Sequence, residues 1–300
     1  MLTTDSLPPF PGPYPRSGTA GAHARPPGAG SGQVGHAEHV PARFPFLDVP
    51  GPIAFAHRGA SPGGLENTLA AIDRIVRLGF THLETDVRTS RDGVALLMHD
   101  PTLDRTTDRT GRVAEMSWAE IAAARVAGRE PVPRLDNLLG SYPELRVNLH
   151  LKTAAAVGPA VEAVHRTGAL DRVCAAAFQD RYVAAARAAL GSQLCTALGT
   201  RGVVALRLAS LRSPALVAHP GPPAPCAQVP VRAGAIPVVD RRFVDAAHRR
   251  GVQVHVWTVN DRAEMNRLLD LGVDGLMSDD AVGLREVLVA RDAWNGGQAA

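Results

Sequence analysis

"IAFAHRGASPGGLENTLAAIDRIVRLGFTHLETDV", residues 53–87, decides the fold. Its first part, 53–57, is a short apolar run of the kind a buried strand needs. From 67 to 79 the apolar residues recur at helical spacing, and the run closes on Gly79. Residues 82–87 return to a strand. Strand, helix and strand within so short a span form a unit whose two strands lie parallel and whose crossover is right-handed. The pattern continues outward. "TSRDG" turns into "VALLMH" (94–99), read as a third strand, and "LRVNLHLK" ending at Lys152 as a fourth. A helix over "VGPAVEAVHRTG" leads to the strand "VCAAAF" (173–178), and helical "DRYVAAARAAL" to "QLCTAL" (193–198). "DRRFVDAAHRRG" precedes "VQVHVWTV" (252–259); "DRAEMNRLLDLG", "VDGLMSD" and a last helix, "AVGLREVLVA", complete the series. About eight strands with helices between them, over roughly 240 residues, predict an α/β fold of the TIM-type (β/α)8 barrel. A doubly wound open sheet competes, but the chain has no Gly-rich phosphate loop to support it. The stretch 200–240 is the least regular, and its strands are the weakest part of the reading.

Residues 1–48 are rich in Pro, Gly, Ala and Ser and lack a hydrophobic period, so they are expected to form a flexible extension or loosely docked arm before a barrel domain at 49–300. The 300-residue chain is 45% hydrophobic and 20% charged, as in a soluble globular protein. With a net charge of +3 and scattered arginines, no basic stripe points to nucleic acid. Apolar runs fall short of the ~18 residues that span a bilayer, and the first residues lack the pattern of a secretory signal. A cytoplasmic protein is expected. Cys174, Cys195 and Cys226 are an odd number without metal-type spacing, and read as small buried hydrophobes in a reducing compartment.

In a parallel barrel, reacting groups come from the C-terminal ends of strands and the loops that follow. That filter selects His57 and Arg58, then Glu84 and Asp86 on one face, then His99 and Asp100. It also selects His150 with Lys152, and Trp257. Lys152 is the only lysine in the chain, whose other basic residues are all arginine. Taken singly, a strand-end His is more often structural, and a Glu-x-Asp pair is more often solvated. Together they would bury several charges around one axis, which is costly without a function. The set fits metal-assisted cleavage of a phosphodiester. Two carboxylates two residues apart offer hard oxygen ligands for Mg²⁺ or Ca²⁺. Arg58 presents a planar fork to phosphate oxygens and Lys152 a compact charge. Two histidines can divide the proton transfers, one serving the nucleophile and the other the leaving oxygen.

In order, "AHRGASPGGLENTLAAI", "LETDVRTSRDGVALLMHDPTLDRTTDRTG", "VPRLDNLL", "VNLHLK", "VHVWTVND" and "GVDGLMSDD" resemble the glycerophosphodiester phosphodiesterases from about Ile53 to Leu288. The resemblance implies a TIM-type barrel that hydrolyses glycerophosphodiesters to sn-glycerol 3-phosphate and an alcohol, within glycerol and lipid metabolism. It implies His57 and His99 as the acid/base pair, and Arg58, Lys152 and Trp257 as substrate-binding residues. Glu84, Asp86 and His150 fall at the metal positions, with Glu66 in support. Asn67 and Thr68 either cap the following helix or touch substrate. At the position of His150 the family usually carries an acid. An imidazole there lowers the negative charge of the cage, so one divalent ion is implied, Mg²⁺ or Ca²⁺ by family, with Mn²⁺ or Zn²⁺ favoured by the imidazole; alternatively a water or substrate oxygen fills that position. A lysophospholipase D-type activity on acylated substrates remains open, as does a non-catalytic phosphodiester-binding barrel. The expected partner is a small-molecule phosphodiester, with neither nucleic acid nor membrane span.

Overall fold

The computed structural model describes residues 42–60, 63–211 and 224–297. Most of the expected extension, and residues 212–223 of the irregular 200–240 stretch, lie outside the described residues. Eight parallel strands form the barrel: β1 Ile53–His57, β2 His82–Thr89, β3 Arg146–Leu151, β4 Val173–Ala176, β5 Cys195–Thr196, β6 Cys226–Pro230, β7 Gln253–Trp257 and β8 Gly275–Ser278. Their order is β5-β4-β3-β2-β1-β8-β7-β6, and an isolated parallel bridge from Ala197 to Cys226 joins the ends. Helices α1 Leu69–Arg77, α2 Leu135–Ser141, α3 Val157–Arg166, α4 Asp180–Leu190, α5 Thr200–Ser210, α6 Arg241–His248, α7 Arg262–Asp270 and α8 Ala281–Ala290 cover the outside. Polar residues start several of these helices by satisfying free N–H groups of the first turn: Thr68 accepts from Ala71, Asp240 from Phe243, Asp261 from Glu264 and Asp280 from Gly283.

Two strand assignments change. Residues 95–97 form a strand, but it pairs antiparallel with β2 and stands outside the barrel. The cause is length: a five-residue turn can make a hairpin, whereas a parallel crossover needs a dozen residues or more. The missing barrel strand is β6, inside the irregular stretch, where "CAQVP" is too short and mixed to announce itself. The hairpin arm continues into residues 98–134, whose Met98, Leu103, Ile121 and Val126 form a small separate core with Leu96 of the arm.

The floor of the barrel comes from residues 42–49, the last part of the expected extension and the linker beyond it. Phe44, Phe46 and Leu47 are buried there against Ile53, Phe55 and Met277. His82 Nε2 meets the carbonyl of Phe46 at 2.9 Å, and its ring lies edge-on to Phe46 and Phe55. A neutral imidazole is required so deep in the fold, and burial pushes the His82 pKa down to about 3. Phe46→Ala should therefore destabilise the protein by about 3–5 kcal/mol, read from denaturant unfolding midpoints; an unchanged midpoint would show that the 42–49 segment is not part of the cooperative unit.

Candidate active site

The β1–α1 turn sets the first group. Arg58, Gly59 and Ala60 all have positive φ, at 52°, 83° and 47°. A side chain at Gly59 would put a Cβ 2.9 Å from Ala71 Cβ, so only glycine lets the turn lie this close to α1. The turn holds His57 and Arg58 over the rim beside Glu84 and Asp86 of β2, while cross-strand pairing sets Asp86 opposite His150 of β3. Strand alternation then aims His150 and Lys152 the same way.

His57, Arg58, Glu84, Asp86, His99, His150, Lys152 and Trp257 line one cavity of about 650 Å³ at the C-terminal end of the barrel. His99 gets there by the hairpin arm rather than a barrel strand, with Met98 N–H donating to the Asp86 carbonyl at 3.0 Å. Glu66 is not on the wall. It stands behind it, taking a fork from Arg105 at 2.9 and 2.7 Å and a third bond from Arg58 at 3.2 Å. Thr68 caps α1. Asn67 instead bonds Asp86 Oδ2 at 3.3 Å and accepts from Thr85 Oγ1 at 2.7 Å, which makes it a positioning residue.

The two carboxylates differ in their partners. Asp86 is 1% exposed; Lys152 Nζ lies 2.7 Å and His150 Nδ1 3.5 Å from Oδ1, and Arg58 Nε lies 3.0 Å from Oδ2. Burial works to raise its pKa, but His150, Lys152 and Arg58 outweigh it and hold Asp86 well below the usual carboxylate range. Glu84 Oε2 is buried and has no hydrogen-bond partner, with His57 Nε2 at 3.7 Å. Burial, and then the charge on Asp86, push Glu84 up to about 7. Such a carboxylate is suited to receive a cation. Oxygen and nitrogen atoms from Glu84, Asp86 and His150 lie within 4.8 Å of one another, so these residues fit one divalent ion.

Each candidate acid/base imidazole has a carboxylate on its Nδ1: Asp279 Oδ1 for His57 and Asp100 Oδ1 for His99, both at 2.6 Å. Burial disfavours charge on His57, yet the Asp279 hydrogen bond and Glu84 more than offset it, leaving the pKa above 6.5. For His99 burial prevails over the Asp100 bond and the pKa falls below 6.5. Arg105, which also holds Asp100 Oδ2, links that pair to Glu66. Asp279 and Arg105 were not among the residues expected to act; Asp100 was selected together with His99, and Asn67 was expected to cap α1 or touch substrate, whereas it holds Asp86. Applying the strand-end filter to the eighth strand, "VDGLMSDD", selects Asp279; Arg105 lies in a long insertion and carries no local signal.

The chain belongs to the glycerophosphoryl diester phosphodiesterase family, whose model matches residues 57–282. It is thus a phosphoric diester hydrolase. It is 37% identical over 253 residues to the "Probable glycerophosphodiester phosphodiesterase 2" of Mycobacterium tuberculosis, across 84% of this chain and 96% of that one. It is 29% identical to the glycerophosphodiester phosphodiesterase of Caldanaerobacter subterraneus, across 76% and 94%. Among solved structures, an Oleispira antarctica phosphodiesterase in complex with the product sn-glycerol-3-phosphate aligns with a TM-score of 0.66 at 22% identity, over 80% of this chain and 97% of that one.

Because Arg105 fixes both Glu66 and Asp100, Arg105→Met should lower kcat by roughly 10- to 100-fold through misplacement of Arg58 and His99, with the fold intact by circular dichroism. Activity equal to the wild type would remove Arg105 from the support of the site.

Proposed function

We propose that this chain hydrolyses glycerophosphodiesters to sn-glycerol 3-phosphate and an alcohol, with one divalent ion held by Glu84, Asp86 and His150. The observation that carries the reading is the meeting of two carboxylate-anchored imidazoles, two cations and an unpartnered buried carboxylate in a single cavity. The substrate's own neighbouring hydroxyl attacks phosphorus and the alcohol leaves, giving a cyclic phosphate that water then opens. One imidazole takes the proton of the attacking hydroxyl and the other protonates the departing oxygen. Arg58 and Lys152 lie where charge builds on the phosphoryl oxygens, and Trp257 flanks the glycerol or headgroup. The ion, when bound, supplies Lewis-acid polarisation of a phosphoryl oxygen. With an imidazole in place of a third acid, the residue set Arg58, Lys152, Glu84 and Asp86 is formally neutral before an ion enters, and this favours Mn²⁺ or Zn²⁺ over Ca²⁺. Arg58 Nε and Lys152 Nζ neutralise Asp86 from opposite oxygens, a role for which the compact lysine ammonium suits the tighter side.

A non-catalytic binding barrel would draw support only from His150, while every other residue of the reacting set is in place. Glycerophosphocholine hydrolysis, with Mg²⁺, Ca²⁺, Mn²⁺ and Zn²⁺ tried in turn, tests the proposal. His57→Ala and His99→Ala should each lose roughly 10²–10⁴ in rate; wild-type rates in either variant, or no turnover by folded wild type with any of the ions, would defeat it.

A specific observation favours acylated substrates as a second reading. The wall opposite the carboxylates is apolar, formed by Phe178, Val204, Leu208, Leu211, Ile236 and Trp257. The first five are 57%, 51%, 52%, 55% and 65% exposed, respectively, a contiguous surface that water does not favour. A lysophospholipid chain leaving the glycerol would run along it. Each covered methylene contributes about 0.8 kcal/mol, so kcat/KM for 1-acyl lysophosphatidylcholines should climb with chain length, by roughly tenfold for every two methylenes covered. A flat series would assign the chain to deacylated diesters.

A further inference from the structure

Sequence spacing gave the three cysteines no role, yet the barrel brings them together. Cys174 lies on β4, Cys195 on β5 and Cys226 on β6, all free and buried. The three sulfurs lie within 4.8 Å of one another, and the Cys174 and Cys226 sulfurs are 4.0 Å apart. Two residues further along each strand stand Ala176, Ala197 and Gln228, all on the wall of the active-site cavity. Since side chains alternate, the thiols form the next inward layer beneath it. The same step down from Trp257 on β7 reaches His255, which is 0% exposed. Its Nε2 is bonded to Gln253 Oε1 at 3.1 Å, which places the ring hydrogen there and leaves the lone pair on Nδ1. That Nδ1 is buried, and the ring lies beside Cys226, whose thiol it helps to hold low. Three adjacent strands thus contribute one sulfur each to the cluster, and His255 on the fourth stands beside Cys226.

The geometry points to a second metal centre in this protein, a closed site for one zinc-class divalent ion with Cys174, Cys195 and Cys226 as thiolate ligands and His255 Nδ1 as the fourth. Tetrahedral zinc with bonds of about 2.3 Å sets its sulfurs roughly 3.8 Å apart, close to the 4.0 Å between the Cys174 and Cys226 sulfurs. Three sulfurs and one imidazole make a soft donor set that selects zinc over magnesium or calcium. On binding, the thiol protons pass to solvent. Burial raises the Cys174 and Cys195 thiols, while hydrogen bonds from both of those thiols hold Cys226 well below the usual thiol range. Arg187, which bonds Thr196 Oγ1, brings a positive charge to the Cys195 side. The location gives the ion a task. β5 is two residues long, and an isolated bridge with one flanking hydrogen bond, Leu198 N–H to the Cys226 carbonyl at 2.9 Å, ties its end to β6. An ion held by Cys195 and Cys226 would clamp the barrel across that seam.

The test uses the full chain purified under reducing conditions and loaded with Co²⁺. Thiolate-to-cobalt charge-transfer absorption is expected in the wild type and in Glu84→Gln, because the carboxylate site at the rim supplies no sulfur, and it should vanish in Cys226→Ala. Should Cys226→Ala fail to fold, the wild-type spectrum still decides. Cobalt binding without that absorption, or absorption that survives Cys226→Ala, overturns the proposal. So does thiol titration of the unfolded, unreduced chain that finds a disulfide between Cys174 and Cys226.

Discussion

A buried aspartate must be answered by charge, and everything at the upper rim is arranged around answering Asp86. The strand that carries it is buried almost end to end. Ionised and unpaired, the carboxylate would be intolerable there. Arg58 arrives from a strained turn after β1, Lys152 from the end of β3, and Asn67 from the residue before the α1 cap. Arg58 and Asn67 stand at the two ends of the β1–α1 loop and Lys152 just past β3, so the cluster also fixes that loop against the end of β3. Glu84, one alternation lower and without such partners, is left as the unsatisfied group.

This division explains a substitution pattern that composition alone makes puzzling. A chain that uses arginine almost everywhere keeps lysine at 152, where a 2.7 Å contact with Oδ1 must fit beside the His150 ring. Arg58 already occupies the opposite oxygen with its broader group. A second guanidinium, planar and broader than an ammonium, would need more room there.

Much of the barrel was legible because βα units punctuate themselves: short apolar runs, helical periods, glycine stops and Ser/Thr/Asp caps. The strand that escaped, Cys226–Pro230, ends in proline and follows an irregular stretch, so local pattern could not show it; pairing with β7 creates it. The hairpin arm at 95–97 carried a strand-like composition that says nothing about direction, and only the short turn before it betrays the antiparallel course. At the site, residues at strand ends were readable by position. Arg105 was not, because an insertion folded on its own small core delivers it. The thiol layer was least legible of all, since its donors are scattered over four strands and only register assembles them.

Depth in the barrel sorts chemistry. At the rim, water reaches the cavity, and carboxylates with an imidazole form a hard to borderline set that can exchange an ion and admit a substrate. Deeper in the same cavity the reciprocal amide pair of Asn148 and Gln228, at 2.9 and 3.1 Å, bridges β3 and β6. Below it the donors are sulfur and a tautomerically fixed imidazole, enclosed by Phe55 and the 42–49 floor. A site without an open position or solvent access is suited to holding strands, not to turning over substrate. The two sets differ in softness as well as depth, so on the two proposals each would select its own ion from a common pool, and loss of one would leave the other's ligands untouched.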